Sequence, residues 1–260
     1  MAARAIWKGR IRFGSVDVPV KLYSAVQDRA VHFRLLDARA QAPVEQQMVD
    51  PDTGAVVPAE GVRKAFQTEE GEMVILSAEE LEELQPPESR EIEVTRFVPP
   101  EEITHAWYER PYYLGPDGDE EGYFALQAAL EREGKEGVCR WTMRKKEYVG
   151  ALRAQDGYLV LIALRSAGEV VPASALPAPG GRELDARELA MAKQLVAAME
   201  DELDFAAYRD EYRERVMALV EAKAAGTMVK FPKAPEREKE TSLADVLERS
   251  LAATKERRRA

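Results

Sequence analysis

Residues 5–24 read Ala5-Ile-Trp-Lys-Gly-Arg-Ile-Arg-Phe-Gly-Ser-Val-Asp-Val-Pro-Val-Lys-Leu-Tyr-Ser24. Apolar and polar side chains alternate on both sides of Gly14-Ser15, which is typical of two half-buried strands joined by a tight turn. In the first strand Ile11 and Phe13 share one face. The opposite face carries three bases: Lys8, Arg10 and Arg12. We therefore predict a β-hairpin with a packed face and a cationic face.

Later segments repeat this arrangement. Alternating runs at 31–36 and 138–148 predict two further strands. The bases opposite or beside apolar strand positions are Lys21, Arg34, Arg140, Arg144, Lys145 and Lys146. Basic side chains with few aromatic side chains for stacking are suited to contact phosphate groups and not the edges of nucleobases. The pattern therefore favours nucleic-acid binding that is independent of sequence. The alternative is that each base is an ordinary solvated surface charge.

The composition limits the class of protein. The chain has 260 residues, 45% of them hydrophobic, and its net charge is −10. Cys139 is the only cysteine, which excludes an internal disulfide and suits a reducing cytoplasm. We expect neither a signal peptide nor a membrane span, since no apolar run approaches ~20 residues. With two histidines, a structural zinc site is not expected either.

The acidic total argues against nucleic acid, but the charge is unevenly distributed. Residues 4–34 contain seven bases and two acids, whereas acids crowd residues 69–83 and 117–121. Because salt screens charges over ~8 Å, a local cationic face matters more than the total. The net charge therefore neither excludes nor supports DNA binding.

Strand patterns dominate the first two-thirds of the chain. Residues 158–164 are almost wholly apolar, as in a strand covered on both faces. With few crossovers of the parallel type, we predict an α+β protein whose mainly β core is an antiparallel barrel with short inserted helices and a loop insertion. Three parts are predicted: the barrel core at 1–170, a linker and helical arm at 171–226, and a flexible tail at 227–260.

Two helix starts can be identified. Ser77 with Glu80 has capping-box spacing, and Asp185 and Glu188 open a second helix. Past the second start, an apolar stripe continues with a brief break at Leu203-Asp204 into a second helix from Phe205. Stripe residues that need a partner surface include Leu189, Val196, Met199, Leu203, Tyr208 and Tyr212.

The tail is polar except for an island at 242–251. Its apolar residues, spaced as on a helix, are Leu243, Val246, Leu247 and Leu251. So short a helix is not stable alone in water, so we predict that it folds on a partner protein.

No sequence motif demands catalysis. Phosphate-binding loops and the dinucleotide-binding glycine motif are absent, and Cys139 lies on the apolar side of its strand. We therefore predict a protein that is not an enzyme and needs no cofactor or metal. Two alternatives stay open: a protein-interaction scaffold without DNA and, more remotely, a nuclease with magnesium held by paired acids.

A series of short motifs, in order, resembles the bacterial Ku family. They are Ile6-Trp-Lys-Gly9 with Phe13-Gly14 and Val18-Pro-Val-Lys-Leu-Tyr-Ser24, then Arg63-Lys-Ala-Phe66, Phe97-Val-Pro99, Arg110-Pro-Tyr-Tyr-Leu114, Arg144-Lys-Lys-Glu147 and Tyr208-Arg-Asp-Glu-Tyr212. The resemblance covers residues 4–225 but not the divergent segment 44–61. Lys64 matches a basic position of a family hairpin.

The resemblance implies a function. In this family a β-barrel with an inserted bridge forms a ring-shaped homodimer that threads onto broken double-stranded DNA ends. It also recruits a multifunctional ATP-dependent DNA ligase for non-homologous end joining. This implies a cationic inner wall, dimer contacts from the helical arm, ligase contacts from the tail and a location at DNA breaks in the nucleoid. The short tail lacks the long lysine-rich extension of some members.

Overall fold

The computed structural model describes residues 4–181, 185–227 and 247–253. These residues form two compact units. Residues 4–29 and 34–175 make up the first, and residues 30–33 with the described residues from 176 onward make up the second.

The first unit contains a closed barrel with the strand order β1-β2-β6-β9-β8-β7-β5. Its strands are β1 Trp7–Phe13, β2 Val16–Ser24, β5 Glu91–Val98, β6 Tyr108–Pro116, β7 Glu136–Met143, β8 Lys146–Gln155 and β9 Tyr158–Leu164. A separate two-stranded sheet pairs β3 Lys64–Gln67 with β4 Met73–Leu76. The predicted mainly β barrel is therefore confirmed.

Alternation places the apolar face of each strand inside the barrel. Ile11, Val20 and Leu22 are fully buried, while Lys8, Arg10 and Arg12 are exposed on the outside. Helix α2 Glu120–Glu133 packs on this core through Tyr123. The Tyr123 hydroxyl donates to the Leu114 carbonyl at 2.6 Å and accepts from the Leu159 amide at 2.9 Å, so it joins α2 to β6 and β9.

Closure of the barrel departs from a purely antiparallel pattern. Strand β1 pairs in parallel with β5, with Ile11 opposite Ile92, while the other barrel pairs are antiparallel. A parallel pair needs a long connection between its strands. Here that connection includes β2 and the insertion at 25–90, which leaves the barrel between β2 and β5.

The insertion carries β3, β4 and helix α1 Ala78–Glu83. The predicted capping box at the start of α1 is present, with Ser77 Oγ accepting from the Glu80 amide and the Glu80 carboxylate accepting from the Ser77 amide. The predicted strand at 31–36 is wrong. In place of a paired strand the segment has one isolated bridge, Leu36 to Pro43. Alternation alone does not make a strand, because the backbone N–H and C=O groups need a neighbouring strand as hydrogen-bond partner.

The second unit contains α3 Ala186–Ala198 and α4 Glu211–Ala224, and residues 247–253 are also helical. The predicted helix start at Asp185 and Glu188 is present, and the two residues form a capping box. The prediction that the second helix begins at Phe205 is wrong. Asp204 caps a short 3-10 turn at Phe205–Ala207, and Asp210 accepts from the Arg213 amide to start α4 six residues later than expected.

Candidate nucleic-acid interface

The cationic face of β1 and β2 exists, but its charges are paired. We call Lys8, Arg10, Arg12 and Lys21 the paired cations. Each lies on the outer side of its strand because the intervening apolar residues fill the barrel. Each also meets a carboxylate from a neighbouring segment, so the face is less positive than the sequence indicates.

The two arginines bind acids on adjacent strands. Arg10 Nε donates to Asp17 Oδ1 at 2.6 Å across the β1–β2 hairpin. Arg12 Nη1 donates to Glu91 Oε1 at 2.5 Å, across the parallel pair that closes the barrel. These hydrogen bonds raise the pKa of both guanidinium groups and lower the pKa of Asp17.

The two lysines share one acid. Asp117, just past β6, accepts from Lys21 Nζ at 2.8 Å and lies 3.0 Å from Lys8 Nζ. The hydrogen bonds from Lys21 and then Lys8 lower the pKa of Asp117, and the Asp117 bond raises that of Lys21. All three side chains reach solvent, where ion pairs are weak, so a phosphate can compete with the carboxylate.

The predicted strand at 138–148 is interrupted by a turn. Arg140 lies on β7, exposed, 3.6 Å from Glu147, as expected of an outer strand position. Arg144 is not on a strand: it and Lys145 form a two-residue turn between Met143 of β7 and Lys146 of β8.

This turn has an unusual backbone. Arg144 and Lys145 have φ values of 52° and 63°. Two consecutive left-handed residues match a type I′ turn, where asparagine and glycine are normally preferred. A side chain in that conformation costs about 1 kcal/mol or more. The chain therefore retains two bases at a position where glycine would be less strained.

The turn bases differ in how they are held. Lys145 Nζ lies 3.3 Å from Glu82 of α1, and Lys146 Nζ lies 5.2 Å from the centre of the Tyr148 ring. Among the described residues, Arg144 has no carboxylate within ion-pair distance. The tip of the β7–β8 hairpin therefore presents a cation that is available to an incoming anion.

The remaining predicted bases lie in the insertion. Lys64 begins β3, with its side chain exposed. Arg34 is exposed as well, but it lies on irregular backbone and not on the predicted strand. Their DNA contact, like that of the other predicted bases, stays a prediction.

Sequence reasoning missed Arg90. It lies at the entry to β5, where its carbonyl accepts from the Arg10 amide at 2.8 Å, and its side chain is exposed. Together with Trp7, Arg144 and Lys145, it lines an open groove. A signal was available, since only three bases interrupt the acidic region at 66–124. Nothing local relates Arg90 to a turn more than fifty residues away.

A buried polar cluster was also missed. Glu136, at the start of β7, is 1% exposed, accepts from the Tyr108 hydroxyl at 2.8 Å and lies 3.3 Å from Arg153. Burial and this hydrogen bond raise the pKa of Tyr108 to about 12. The cluster joins β6, β7 and β8. We assign it a structural role, because its buried carboxylate connects side chains of three barrel strands.

The predicted dimer residues are exposed within the protomer. They are Leu189, Val196, Met199, Leu203, Tyr208 and Tyr212, with exposures of 43% to 76%. Leu189 and Val196 lie on α3, Met199 is its C-terminal cap, and Tyr212 lies on α4. Leu203 and Tyr208 lie on the connection between the helices, outside the second helix in which Tyr208 was predicted. Exposed apolar patches of this kind mark interaction surfaces.

The predicted ligase-binding residues are only partly described. Leu243 and Val246 lie outside the described residues. Leu247 and Leu251 are 9% and 8% exposed, and Arg187 of α3 lies 2.7 Å from Glu248. The two leucines are therefore already covered by this chain, and a partner reaches them only after the segment moves.

Two further findings concern other classes of protein. Among the described residues, no three His, Cys, Asp or Glu side chains are grouped as metal ligands. None of the helices in the same ranges is long and apolar enough to cross a membrane. Cys139 is buried in the barrel, which raises the pKa of its thiol to about 12 and confirms that it lies on the apolar side of β7.

Comparison with known proteins decides the family. The Ku70/Ku80 beta-barrel domain matches residues 12–196. The chain belongs to the Ku family. A Ku relative from Geotalea uraniireducens, named non-homologous end joining protein Ku 2, is 37% identical over 88% of this chain and 89% of its own. Relatives named non-homologous end joining protein Ku include one from Archaeoglobus fulgidus, 36% identical over 97% and 100% of the two chains. Another, from Pseudomonas aeruginosa, is 36% identical over 96% and 88%.

Proposed function

We propose that this Ku-family protein binds the ends of double-stranded DNA as a ring-shaped homodimer in non-homologous end joining. The observation that carries the proposal is the Ku barrel in a chain whose relatives, matched over most of both lengths, are named for end joining. The protein acts as a binding protein and not as a catalyst, at DNA breaks in the cytoplasm.

The bases support binding that ignores sequence. Lys8, Arg10, Arg12 and Lys21 lie on one barrel face, the β7–β8 turn adds Arg144 and Lys145, and Lys146 follows at the start of β8. Lysine and arginine side chains bind the phosphate groups of the DNA backbone, which are the same for every base pair. A ring admits DNA only from a free end, so preference for ends follows from topology and needs no chemical feature of the end.

Exposed apolar side chains support the homodimer. Val196, Met199 and Tyr208 are at least 66% exposed. Burying such residues against a second copy is the simplest way to remove them from water, since homodimer interfaces are rich in apolar area. The helical arm is thus the proposed dimer contact.

The tail is the proposed contact for an ATP-dependent DNA ligase. Leu247 and Leu251 form an apolar pair one helical turn apart. Because both are buried in this chain, ligase binding requires the segment to leave its position. We expect ligase affinity to include the cost of that release.

One experiment tests the proposal for DNA. Purified protein is titrated against a linear duplex and against the same sequence as a covalently closed circle. We expect binding to the linear form only, with log affinity falling against log salt by ~0.9 per phosphate contacted. Equal binding to both forms would contradict the ring. No binding, with no salt response, would favour a scaffold for proteins, which the net charge of −10 and the paired cations would suit. Magnesium-dependent cutting of the duplex would favour a nuclease.

A further inference from the structure

We propose that one phosphodiester of the DNA backbone binds in the groove beneath the β7–β8 turn, which we call the tip groove. The inference rests on the proposed function and assigns it a specific anchor. The residues that line it include Trp7, Glu88, Ser89, Arg90, Thr142 and Arg144. Ser89, Arg90 and Thr142 were not among the bases and sites that the sequence indicated.

Three separate elements build the groove. Trp7 begins β1, Arg90 immediately precedes β5, and Arg144 projects from the turn between β7 and β8. All three strands belong to the barrel, in which β7 pairs with β5 and β5 pairs with β1. The groove is therefore built on paired barrel strands, which set the backbone positions of its charged residues before a ligand arrives.

The two arginines are available to an anion. Among the described residues, neither Arg90 nor Arg144 has a carboxylate within ion-pair distance, in contrast to the paired cations. Guanidinium groups bind phosphate through two parallel hydrogen bonds. A phosphate bound by these two arginines displaces no ion pair of the described residues, whereas one on the β1–β2 face must replace Asp17, Asp117 or Glu91.

Hydroxyl groups complete the anion site. Ser89 Oγ accepts from the Glu91 amide at 3.1 Å, so its proton is left to donate to a ligand. Thr142, half-buried on β7, lines the same groove. Two guanidinium cations with neighbouring hydroxyl donors are the groups that bind phosphate oxygens.

The floor of the groove is rigid. The Trp7 ring lies directly over Gly9, where an added Cβ would be 2.0 Å from the indole and 2.5 Å from the Arg90 carbonyl. This close approach fixes both the indole and the backbone of Arg90. The Trp7 indole is an apolar surface that the sugar next to the bound phosphate can contact.

The left-handed backbone at Arg144 permits a clean test. Glycine adopts φ of 52° without strain, so Arg144→Gly removes the cation while favouring the same turn. Arg144→Lys keeps the charge and Arg90→Gln removes the second cation. Glu88 is a carboxylate at the same groove, so Glu88→Gln removes a repulsive group. Arg132→Gln, on the exposed side of α2, is the matched control.

The measurement is fluorescence anisotropy of a labelled linear duplex across a series of salt concentrations. We expect Arg144→Gly and Arg90→Gln each to weaken binding about tenfold or more and to reduce the salt slope by ~0.9 per site. Arg144→Lys should keep the slope, Glu88→Gln should strengthen binding, and Arg132→Gln should behave as wild type. Thermal unfolding of each variant reports on the fold.

The outcomes separate the inference from the proposed function. Wild-type binding with unchanged affinity and slope in Arg144→Gly and Arg90→Gln overturns the tip groove alone. Weaker binding with an unchanged slope also overturns it, since the arginines would then act through structure. If wild-type protein binds no linear duplex, both the function and the groove are wrong.

Discussion

At the scale of single residues, charge pairing decides which bases are available. Lys8 and Lys21 are close enough to contact one phosphate, yet Asp117 already lies between them. Its carboxylate takes the place that a phosphate oxygen would occupy. The same geometry therefore indicates both a binding site and a competitor built into it.

Removing that competitor should strengthen DNA binding. In Asp117→Asn the two lysines lose their charged partner, so we expect several-fold tighter binding to a linear duplex and a salt slope steeper by ~0.9, for one added phosphate. Asp156→Asn is the control, because Asp156 is an exposed aspartate that accepts from Gln155 and pairs with no basic side chain within the described residues. Unchanged affinity and slope in Asp117→Asn would mean that DNA does not reach this face.

The same residue predicts a pH dependence. Hydrogen bonds from Lys21 and Lys8 lower the pKa of Asp117 below its ordinary value of 3.8. A carboxyl group whose pKa is lowered on folding stabilises the fold above its unfolded pKa, and this contribution is lost as pH falls through the lower folded value. The free energy of unfolding of the wild type, measured with urea, should therefore fall below about pH 4 more steeply than that of Asp117→Asn. If the free energies of unfolding of the two proteins fall in parallel with pH, the ion pairs of Asp117 with the lysines contribute no stability.

At the scale of elements, the helical arm leaves its apolar residues in water. Val196 on α3 is 73% exposed, so Val196→Glu should leave the protomer folded. If the arm forms the dimer, burying a carboxylate there should weaken association about tenfold or more. Light scattering across a dilution series measures this association, and circular dichroism reports on folding.

Lys193→Glu is the matched control on the same helix, since it also adds an acid at an exposed position but alters no apolar contact. It should retain the dimer mass of wild type. Equal mass for both variants would place the dimer contact elsewhere.

At the scale of the whole molecule, the exposed insertion points to stability that depends on assembly. Phe66, Met73 and Ile75 of the β3–β4 hairpin are 62% to 65% exposed. An isolated two-stranded hairpin is marginally stable in water, so a second copy is the proposed cover. Folding coupled to dimer formation makes the unfolding midpoint depend on protein concentration.

Scanning calorimetry across a hundredfold range of concentration tests this coupling. We expect the midpoint of wild type to rise by about 5–10 °C over that range. Val196→Glu should unfold at a lower midpoint that varies less with concentration. A wild-type midpoint that does not change would mean that the protomer is stable without a partner.

Local patterns in the sequence determined most of the elements. Alternation around Gly14 predicted β1 and β2, the apolar run at 158–164 predicted β9, and the residue pairs Ser77 with Glu80 and Asp185 with Glu188 predicted two helix starts. These signals succeed because side-chain alternation and helix capping depend on residues at most a few positions apart.

The tertiary structure alone decided which charges meet. Arg12 finds Glu91, Lys8 finds Asp117, and Arg90 shares a groove with Arg144, all between segments far apart in sequence. It also turned the predicted run at 138–148 into two strands and left 31–36 without a partner strand. The physical reason is that strand pairing and ion pairing depend on neighbours brought together by barrel closure. The order of residues along one strand contains no record of the strand that will lie beside it.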